Sequence, residues 1–439
     1  MKAMMAELAK AQAALMEGYR ARTPKSRAQF EMARQVLPGG NTRNNLHFAP
    51  YPPVIAKGDG SELVDLDGNV YTDFLNDYTV ALAGHSHPAL IASAQAQLTL
   101  GMNYGGRTIA EAELAHLMAA RYPAVQSVRF VNSGTEANLY AILLARHVTK
   151  RPKILVFEGG YHGGVLNFGS GARQINIPFD VVTTPYNDAV ALEAALEAEG
   201  ESIAAVVLEP VMNSGGVIPA TAGFCQAVSA TAKRVGALLI FDEVMTARLS
   251  YHGMHGKLGI TPDLVTFGKF IGGGFSFGAF GGRADIMAVF DAARPGYVPH
   301  GGSFNNNVFS MSGGVTALTK IHTPAAIAAV NDLGDRLRSR LNAALAEEKA
   351  PLCFSGYGSV MNLHVGYEPP MRYVMSPLIQ SVRSLYHMFL LQEGYWIAGR
   401  ALVSLSIANS QDECDGLVDT TRKFASDYRS LLSAQGIAA

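Results

Sequence analysis

Cysteine is scarce in this chain: only Cys225, Cys353 and Cys414 occur among 439 residues, far apart and without a CxxC pair. Such spacing excludes a disulfide framework and a zinc knuckle, implies no metal site, and suits a reducing compartment. Long apolar runs are missing too. The charge-free stretch between Glu209 and Lys233 is broken by Asn213, Ser214, Gly215, Gly216 and Pro219. It reads as a loop plus a buried helix, not a membrane span. Neither charge sign is in excess, with 35 basic and 36 acidic residues and a net charge of −1, so nothing points to nucleic acid or a membrane surface as partner. At the N-terminus Glu7 and Lys10 interrupt the apolar residues, which makes the segment an amphipathic helix instead of a signal peptide. No GxGxxG follows a first strand, and there is no internal repeat or low-complexity tract. What is left is a cytoplasmic globular protein, long enough for one large domain and a smaller companion.

What is present is a rhythm. A turn-rich loop, LPGGNTRNN, precedes VIAKGDGSELVDLDGNVYTDF. In the latter, Asp59-Gly60 and Asp67-Gly68 punctuate short alternating runs, the pattern of a small antiparallel meander. From about residue 80 short apolar runs alternate with helical stretches: SVRFV, KILVF, AAVVLEP, GALLIFDEV and DLVTFGK. Runs with so few polar interruptions fit strands covered on both faces, and the alternation predicts a mostly parallel, doubly wound α/β sheet. Three parts are expected: an N-terminal segment over 1–78, a large domain over 79–322 and a C-terminal small domain over 323–439, with the first packing near the last.

Ligands bind such sheets beyond the carboxyl ends of the strands, and polar residues gather there. Asp242 ends GALLIFD. A carboxylate so placed needs a cationic partner, and a protonated pyridine nitrogen is one; helix capping or metal binding would also account for it. Lys269 follows the next run and precedes three glycines. A desolvated lysine there is a nucleophile towards carbonyls, although a solvated surface lysine or a phosphate contact is equally open. In SVRFVNSGTEAN, Asn132 to Thr135 lie at a helix start, where N–H groups and hydroxyls form an anion site. Ser133 with Glu136 also matches an ordinary capping box. Tyr161 and His162 emerge from the glycine-flanked turn of KILVFEGGYHGG. The tyrosine ring can stack on a flat heterocycle or be a plain core residue.

Taken together and in this order, NSGTEAN, GGYHGG, LEP, FDEVMT and FGKFIGGG resemble the class III aminotransferases of fold type I, which depend on pyridoxal 5′-phosphate (PLP). The resemblance runs from about residue 37 to the C-terminus. It is nearest to the β-amino-acid (β-phenylalanine) aminotransferases and glutamate-1-semialdehyde aminomutase. It implies a fold type I enzyme, with a large PLP-binding domain and a smaller α+β domain. Lys269 would carry PLP as a Schiff base and later shuttle the proton, and Asp242 would pair with the pyridinium nitrogen. Val244 would pack on one ring face and Tyr161 on the other. Ser133, Gly134 and Thr135 would hold the phosphate, with Glu209 and His162 near the Asp242 network. Ser303, in HGGSFNNN, stands where the family usually has a threonine that reaches the neighbouring subunit's phosphate, which implies a homodimer with shared active sites. On the bland reading Asn305, Asn306 and Asn307 are turn formers.

Both substrates of a transaminase, the amino donor and the keto-acid acceptor, usually carry a carboxylate, and arginine clamps carboxylates. By resemblance Arg43 would bind the donor's carboxylate and Arg400 the α-carboxylate of the acceptor, though either can instead make a structural salt bridge. The pair favours transfer from a β-amino acid, aromatic or aliphatic, to an α-keto acid such as 2-oxoglutarate or pyruvate. The alternatives are a glutamate-1-semialdehyde aminomutase or an amine:pyruvate transaminase. Leu46, Phe48, Tyr51, Tyr78 and Tyr104 suggest a pocket for an apolar side chain.

Overall fold

The computed structural model describes residues 2–169 and 175–432; residues 433–439 of the expected C-terminal small domain lie outside these. The chain forms two compact units, one of residues 88–328 with 371–373, the other of 1–87, 329–370 and 374–439.

The first unit is built on seven strands, in the spatial order Ser127–Val131, Gly278–Gly282, Leu264–Gly268, Leu238–Asp242, Ile203–Leu208, Lys153–Phe157 and Asp180–Thr184. The pairings from Leu264–Gly268 through to Asp180–Thr184 are all parallel. Alternate side chains go to opposite faces. Leu155, Phe157, Val206, Leu208, Leu239 and Phe241 pack with Leu192, Leu196, Phe224 and Val228 from the helices Ala189–Glu199 and Ala222–Val235. Ile154, Val156, Ala205, Val207 and Ile240 pack on the other side with Ala137, Ala141, Leu144 and Ala145 of the helix Gly134–Thr149. Burial on both faces is why these strands read as unbroken apolar runs. Val148, in the last turn of the helix Gly134–Thr149, is exposed. The charge-free stretch after Glu209 contains the helix Ala222–Val235, and no helix among the described residues is long and apolar enough to cross a membrane.

Two strands fall outside the apolar runs: Asp180–Thr184, a largely exposed edge strand, and Gly278–Gly282. Gly278–Gly282, sequence GAFGG, runs antiparallel to both of its neighbours. A Cβ on Gly278 would lie 2.1 Å from the carbonyl oxygen of Ser133, and one on Gly282 2.1 Å from that of Asp263. Only glycine permits this approach of backbones.

The second unit has a four-stranded sheet, in which the meander Ile55–Asp59, Glu62–Asp65 and Val70–Asp73 is extended by Tyr395-Trp396 pairing parallel to its last strand. An antiparallel sheet of Leu352–Tyr357, Val360–Val365 and Leu402–Ser404 lies in the same unit. Lys2–Arg22 packs along Pro377–Gln392, with Gln12 donating to the carbonyl of Ser381 at 2.9 Å. Tyr51, one of the residues nominated for a pocket, is instead core: it packs with Tyr19, Tyr71 and Phe30, and its hydroxyl meets Thr23 at 3.1 Å.

Candidate active site

In the first unit, the motif residues follow the carboxyl ends of parallel strands. Asp242 is the last residue of its strand and is buried. Its Oδ1 accepts from the backbone N–H of Val244 at 3.0 Å. Its Oδ2 is shared by Asn138 Nδ2 at 2.8 Å and His162 Nδ1 at 2.7 Å. A carboxylate offers about four acceptor positions, so this donor set stabilises an anion and leaves Oδ1 room for one more donor. A protonated ring nitrogen fits that vacancy.

His162 and Glu209 complete a buried acidic cluster. Burial alone would lower the His162 pKa, but its hydrogen bond to Asp242 and the charges of Asp242 and Glu209 outweigh this and raise it. The Glu209 carboxyl, just past the strand Ile203–Leu208, is raised by burial to about 7; the charge of His162 opposes the rise and that of Asp242 adds to it. Its two oxygens accept from the N–H groups of Tyr161 and Asn213 at 3.0 and 3.1 Å. Glu209 thus fixes the turn that presents Tyr161.

Lys269 directly follows the strand Leu264–Gly268, half-buried and with φ at 55°. A non-glycine residue in that region is held there by its surroundings. Val244 sits over the two glycines at these strand ends. A Cβ on Gly134 would come within 2.7 Å of Val244 Cγ1, and one on Gly268 within 3.2 Å.

The helix Gly134–Thr149 starts at the carboxyl end of Ser127–Val131. Ser133 Oγ caps the N–H of Glu136 at 3.1 Å. The Glu136 carboxylate does not return to Ser133 as a capping box requires; it takes the N–H of Asn132 at 2.9 Å. The first-turn N–H groups at Ser133 to Thr135 therefore point at no acid of their own helix, which suits a phosphate. Thr135 Oγ1 accepts from Gly164 N at 3.3 Å and ties this loop to the His162 turn. An anion cradle, a strand-end lysine and an anionic acceptor beside glycine-lined space match the phosphate, aldehyde and ring nitrogen of PLP.

The chain matches the model of the family described as aminotransferase class-III over residues 46–365. The chain belongs to the class III aminotransferases. Its cofactor is PLP and its fold is that of the fold type I transaminases. It is 44% identical over 423 residues to the β-phenylalanine transaminase of Variovorax paradoxus, covering 95% of this chain and 97% of that protein. It is 40% identical over 366 residues to the glutamate-1-semialdehyde 2,1-aminomutase of Anaeromyxobacter dehalogenans, covering 79% and 84%. A crystal structure of a β-phenylalanine aminotransferase from Variovorax paradoxus superposes with a TM-score of 0.94 at 42% identity, covering 97% of this chain and 99% of that one. A transaminase solved with PLP bound gives 0.86 at 32% identity, covering 94% and 98%.

The remaining nominated residues of this aminotransferase fall as follows. Ser303 is exposed in the single chain. The asparagines after it do more than turn the chain. Asn305 accepts from Asn132 at 3.0 Å, Asn306 donates to Glu111 at 3.2 Å, and Asn307 caps the helix Val308–Thr316. Tyr104 is exposed and donates to the carbonyl of Leu100 at 2.6 Å.

In the second unit the charges of Arg43 and Arg400 both act on Tyr78. Arg43 pairs with Asp77 at 2.6 Å, both about half-exposed, and its guanidinium lies 5.7 Å from the centre of the Tyr78 ring. Burial raises the Tyr78 hydroxyl, and the charges of Arg400 and Arg43 both pull it back. The hydroxyl donates to the carbonyl of Asn45. Asp77 and Tyr78 lie on four successive residues of positive φ, Asn76 to Thr79 at 51°, 47°, 53° and 76°, a single left-handed turn. Each such residue costs roughly 1–2 kcal/mol. Buried polar contacts hold the turn: Asp73 Oδ1 accepts from the N–H groups of Leu75 and Asn76, and Asn76 Nδ2 donates to the Ser404 carbonyl at 2.7 Å. Arg43, Asp77 and Leu46 also line a largely apolar cavity of about 500 Å³, with Phe30, Leu75 and Trp396. Leu46 thus faces a pocket, while Phe48 packs edge-on against His387 at 4.5 Å.

Three contributors escaped the sequence reading: Asn138, Thr266 and Asp77. Asn138 is a polar residue on the buried stripe of its helix, and Thr266 is the one polar residue within LVTFG.

Proposed function

We propose that this enzyme moves the amino group of a β-amino acid, aromatic or aliphatic, to an α-keto acid such as 2-oxoglutarate or pyruvate. The observation that carries the reading is Arg43 lying over the Tyr78 ring, a phenol that also feels the charge of Arg400. Two arginine charges felt by one phenol suit two successive substrates that each bring a carboxylate. The likeness to a β-phenylalanine transaminase supports it.

When bound, PLP supplies the aldehyde that receives the amino group and the ring that takes up an electron pair. Lys269 Nζ would hold the cofactor at rest and, when free, would take and return a proton beside it. Asp242 holds the ring nitrogen in its cationic form. The start of the helix Gly134–Thr149 anchors the phosphate, and Val244 and Tyr161 flank the ring. Arg43 binds the donor's carboxylate, and Arg400 the acceptor's.

Asp77 occupies Arg43 until a substrate carboxylate arrives. An exposed ion pair is worth only about 0–1 kcal/mol, so the exchange costs little. Turnover of β-phenylalanine is expected only with a keto acid present. Asp77→Asn is expected to lower the KM for that donor by about two- to five-fold and to leave a simple amine without a carboxylate unaffected. Isomerisation of glutamate-1-semialdehyde without keto acid, and no turnover of any β-amino acid, would establish the aminomutase reading instead. Equal activity on carboxylate-free amines would favour the amine:pyruvate reading.

The chain works as a cytoplasmic homodimer, in which Ser303 reaches the partner's phosphate site. Three buried, unbridged cysteines suit the compartment. Exposed Leu98, Leu100, Met102, Ile109 and Phe304 supply an apolar surface near these loops in sequence. Ser303→Ala is expected to weaken PLP binding by about ten-fold, the loss of a charge-assisted hydrogen bond. A monomer by sedimentation that keeps full PLP affinity would refute the shared site.

A further inference from the structure

Behind Asp242 lies a pair of residues with only one satisfied arrangement. Asn138 and Thr266 are buried, at 2% and 0% exposure. Thr266 is the register partner of Asp242 on the adjacent parallel strand. Asn138 Nδ2 lies 2.8 Å from Asp242 Oδ2 and 3.0 Å from the carbonyl oxygen of His162, while Asn138 Oδ1 lies 2.7 Å from Thr266 Oγ1. An amide presents donors on one side and an acceptor on the other. The carbonyl of His162 can only accept, and Asp242 as a carboxylate can only accept. The amide nitrogen must therefore face them, the amide oxygen must face Thr266, and the threonine hydroxyl must donate.

We infer that Asn138, oriented by the Thr266 hydroxyl, is the positioning residue that fixes the Asp242 carboxylate and reserves its Oδ1 for the cofactor's ring nitrogen. Oδ2 already receives N–H groups from Asn138 and His162. A proton placed on Oδ2 would meet two donors, so that oxygen is held as an acceptor. The two hydrogen bonds also fix the carboxylate plane, and the Val244 N–H leaves Oδ1 one remaining position. The inference rests on the proposed role of Asp242 as partner of the ring nitrogen. Neither Asn138 nor Thr266 touches PLP; both act through Asp242.

The test compares Thr266→Val, Thr266→Ser, Asn138→Leu and Asp242→Ala with the parent. Three quantities are read: the PLP dissociation constant of the apoprotein, the pH titration of the holoenzyme's visible absorbance, and the apoprotein's unfolding temperature. The titratable groups gathered there are Asp242, His162 and Glu209. Thr266→Val keeps the shape and removes only the hydroxyl. It is expected to raise the PLP dissociation constant about five-fold, the effect of one net hydrogen bond, and to displace the absorbance titration. Thr266→Ser is expected to restore both. Asn138→Leu should raise the constant about ten- to one-hundred-fold, as loss of an outer-shell partner does at cofactor-like metal sites. If Asn138→Leu fails to fold, the two threonine variants carry the test alone. Parent-like constants and titration in Thr266→Val, or equal behaviour of Thr266→Val and Thr266→Ser, would overturn the inference provided Asp242→Ala moves both readouts. If Asp242→Ala itself moves neither, the role given to Asp242 fails and the inference with it.

Discussion

Lys269→Ala is expected to reduce turnover by roughly four orders of magnitude, the upper range for a general acid–base group, and to abolish borohydride fixation of the cofactor. The physical reason is that no neighbouring group of the site can take over. The buried ionisable groups around Asp242 are His162 and Glu209. His162 is bound through Nδ1 to Asp242, and both Glu209 oxygens are taken by backbone N–H groups. Neither offers an amine to an aldehyde. The variant is expected to fold, since Lys269 lies just beyond the strand Leu264–Gly268, whose own residues are all buried. Alanine at φ 55° carries the same backbone strain that lysine bears there. It should still bind PLP through the anion cradle, reversibly and removable by dialysis. Single-turnover absorbance with β-phenylalanine and mass spectrometry after reduction measure both effects. Activity within ten-fold of the parent, or a PLP adduct surviving on another residue, would remove Lys269 from its role.

How much of this was legible depends on where the causes lie. Asp242 and Lys269 could be read because a polar residue ending a long apolar run stands out. The strands around them could be read because both faces are covered. Gly278–Gly282 could not: three glycines in five residues look like a turn, and the cause, backbone contact with Ser133 and Asp263, lies far off in sequence. Asn138 was hidden within an apolar helix stripe, where a polar residue carries no mark of what it faces. Asp77 was hidden more thoroughly. It lies on a left-handed turn with no glycine at 76–79, held by contacts to Ser404 and Asn409 more than three hundred residues on. Tyr51 was misassigned because an aromatic residue beside a functional loop looks the same whether it lines a pocket or fills a core. Arg43 was nominated for a carboxylate, and the structure supplies one from the chain itself, Asp77.

Asp242→Ala is expected to lower kcat by about one-hundred- to one-thousand-fold, the range for removing one preorganised electrostatic partner. It should also destabilise the apoprotein, which separates it from Lys269→Ala. His162 and Asp242 are 2% and 4% exposed in their side chains. Removing the carboxylate leaves the imidazole's donor and the Asn138 amide facing an apolar methyl, and breaking one partner of a buried pair costs about 3–5 kcal/mol. The pH dependence follows from His162, whose raised pKa reflects the Asp242 hydrogen bond outweighing burial. A histidine raised in the folded state adds stability that is fully present below its unfolded value of about 6.5 and is lost as pH rises through the folded value. In the variant both effects of Asp242 are lost and only the charge of Glu209 still opposes burial, so the imidazole's preference for the charged form weakens. The stability gap between parent and variant should therefore be widest in mildly acidic buffer and narrow at alkaline pH. Urea unfolding of the two apoproteins across that range measures it. A gap that is constant with pH would place the cost in lost packing instead of the charge pair. The kinetic losses must also fall in order, with Asp242→Ala the most severe, Asn138→Leu intermediate and Thr266→Val the mildest, because each residue acts only through the next. A larger kcat loss in Thr266→Val than in Asp242→Ala would mean that Thr266 reaches the chemistry by another route.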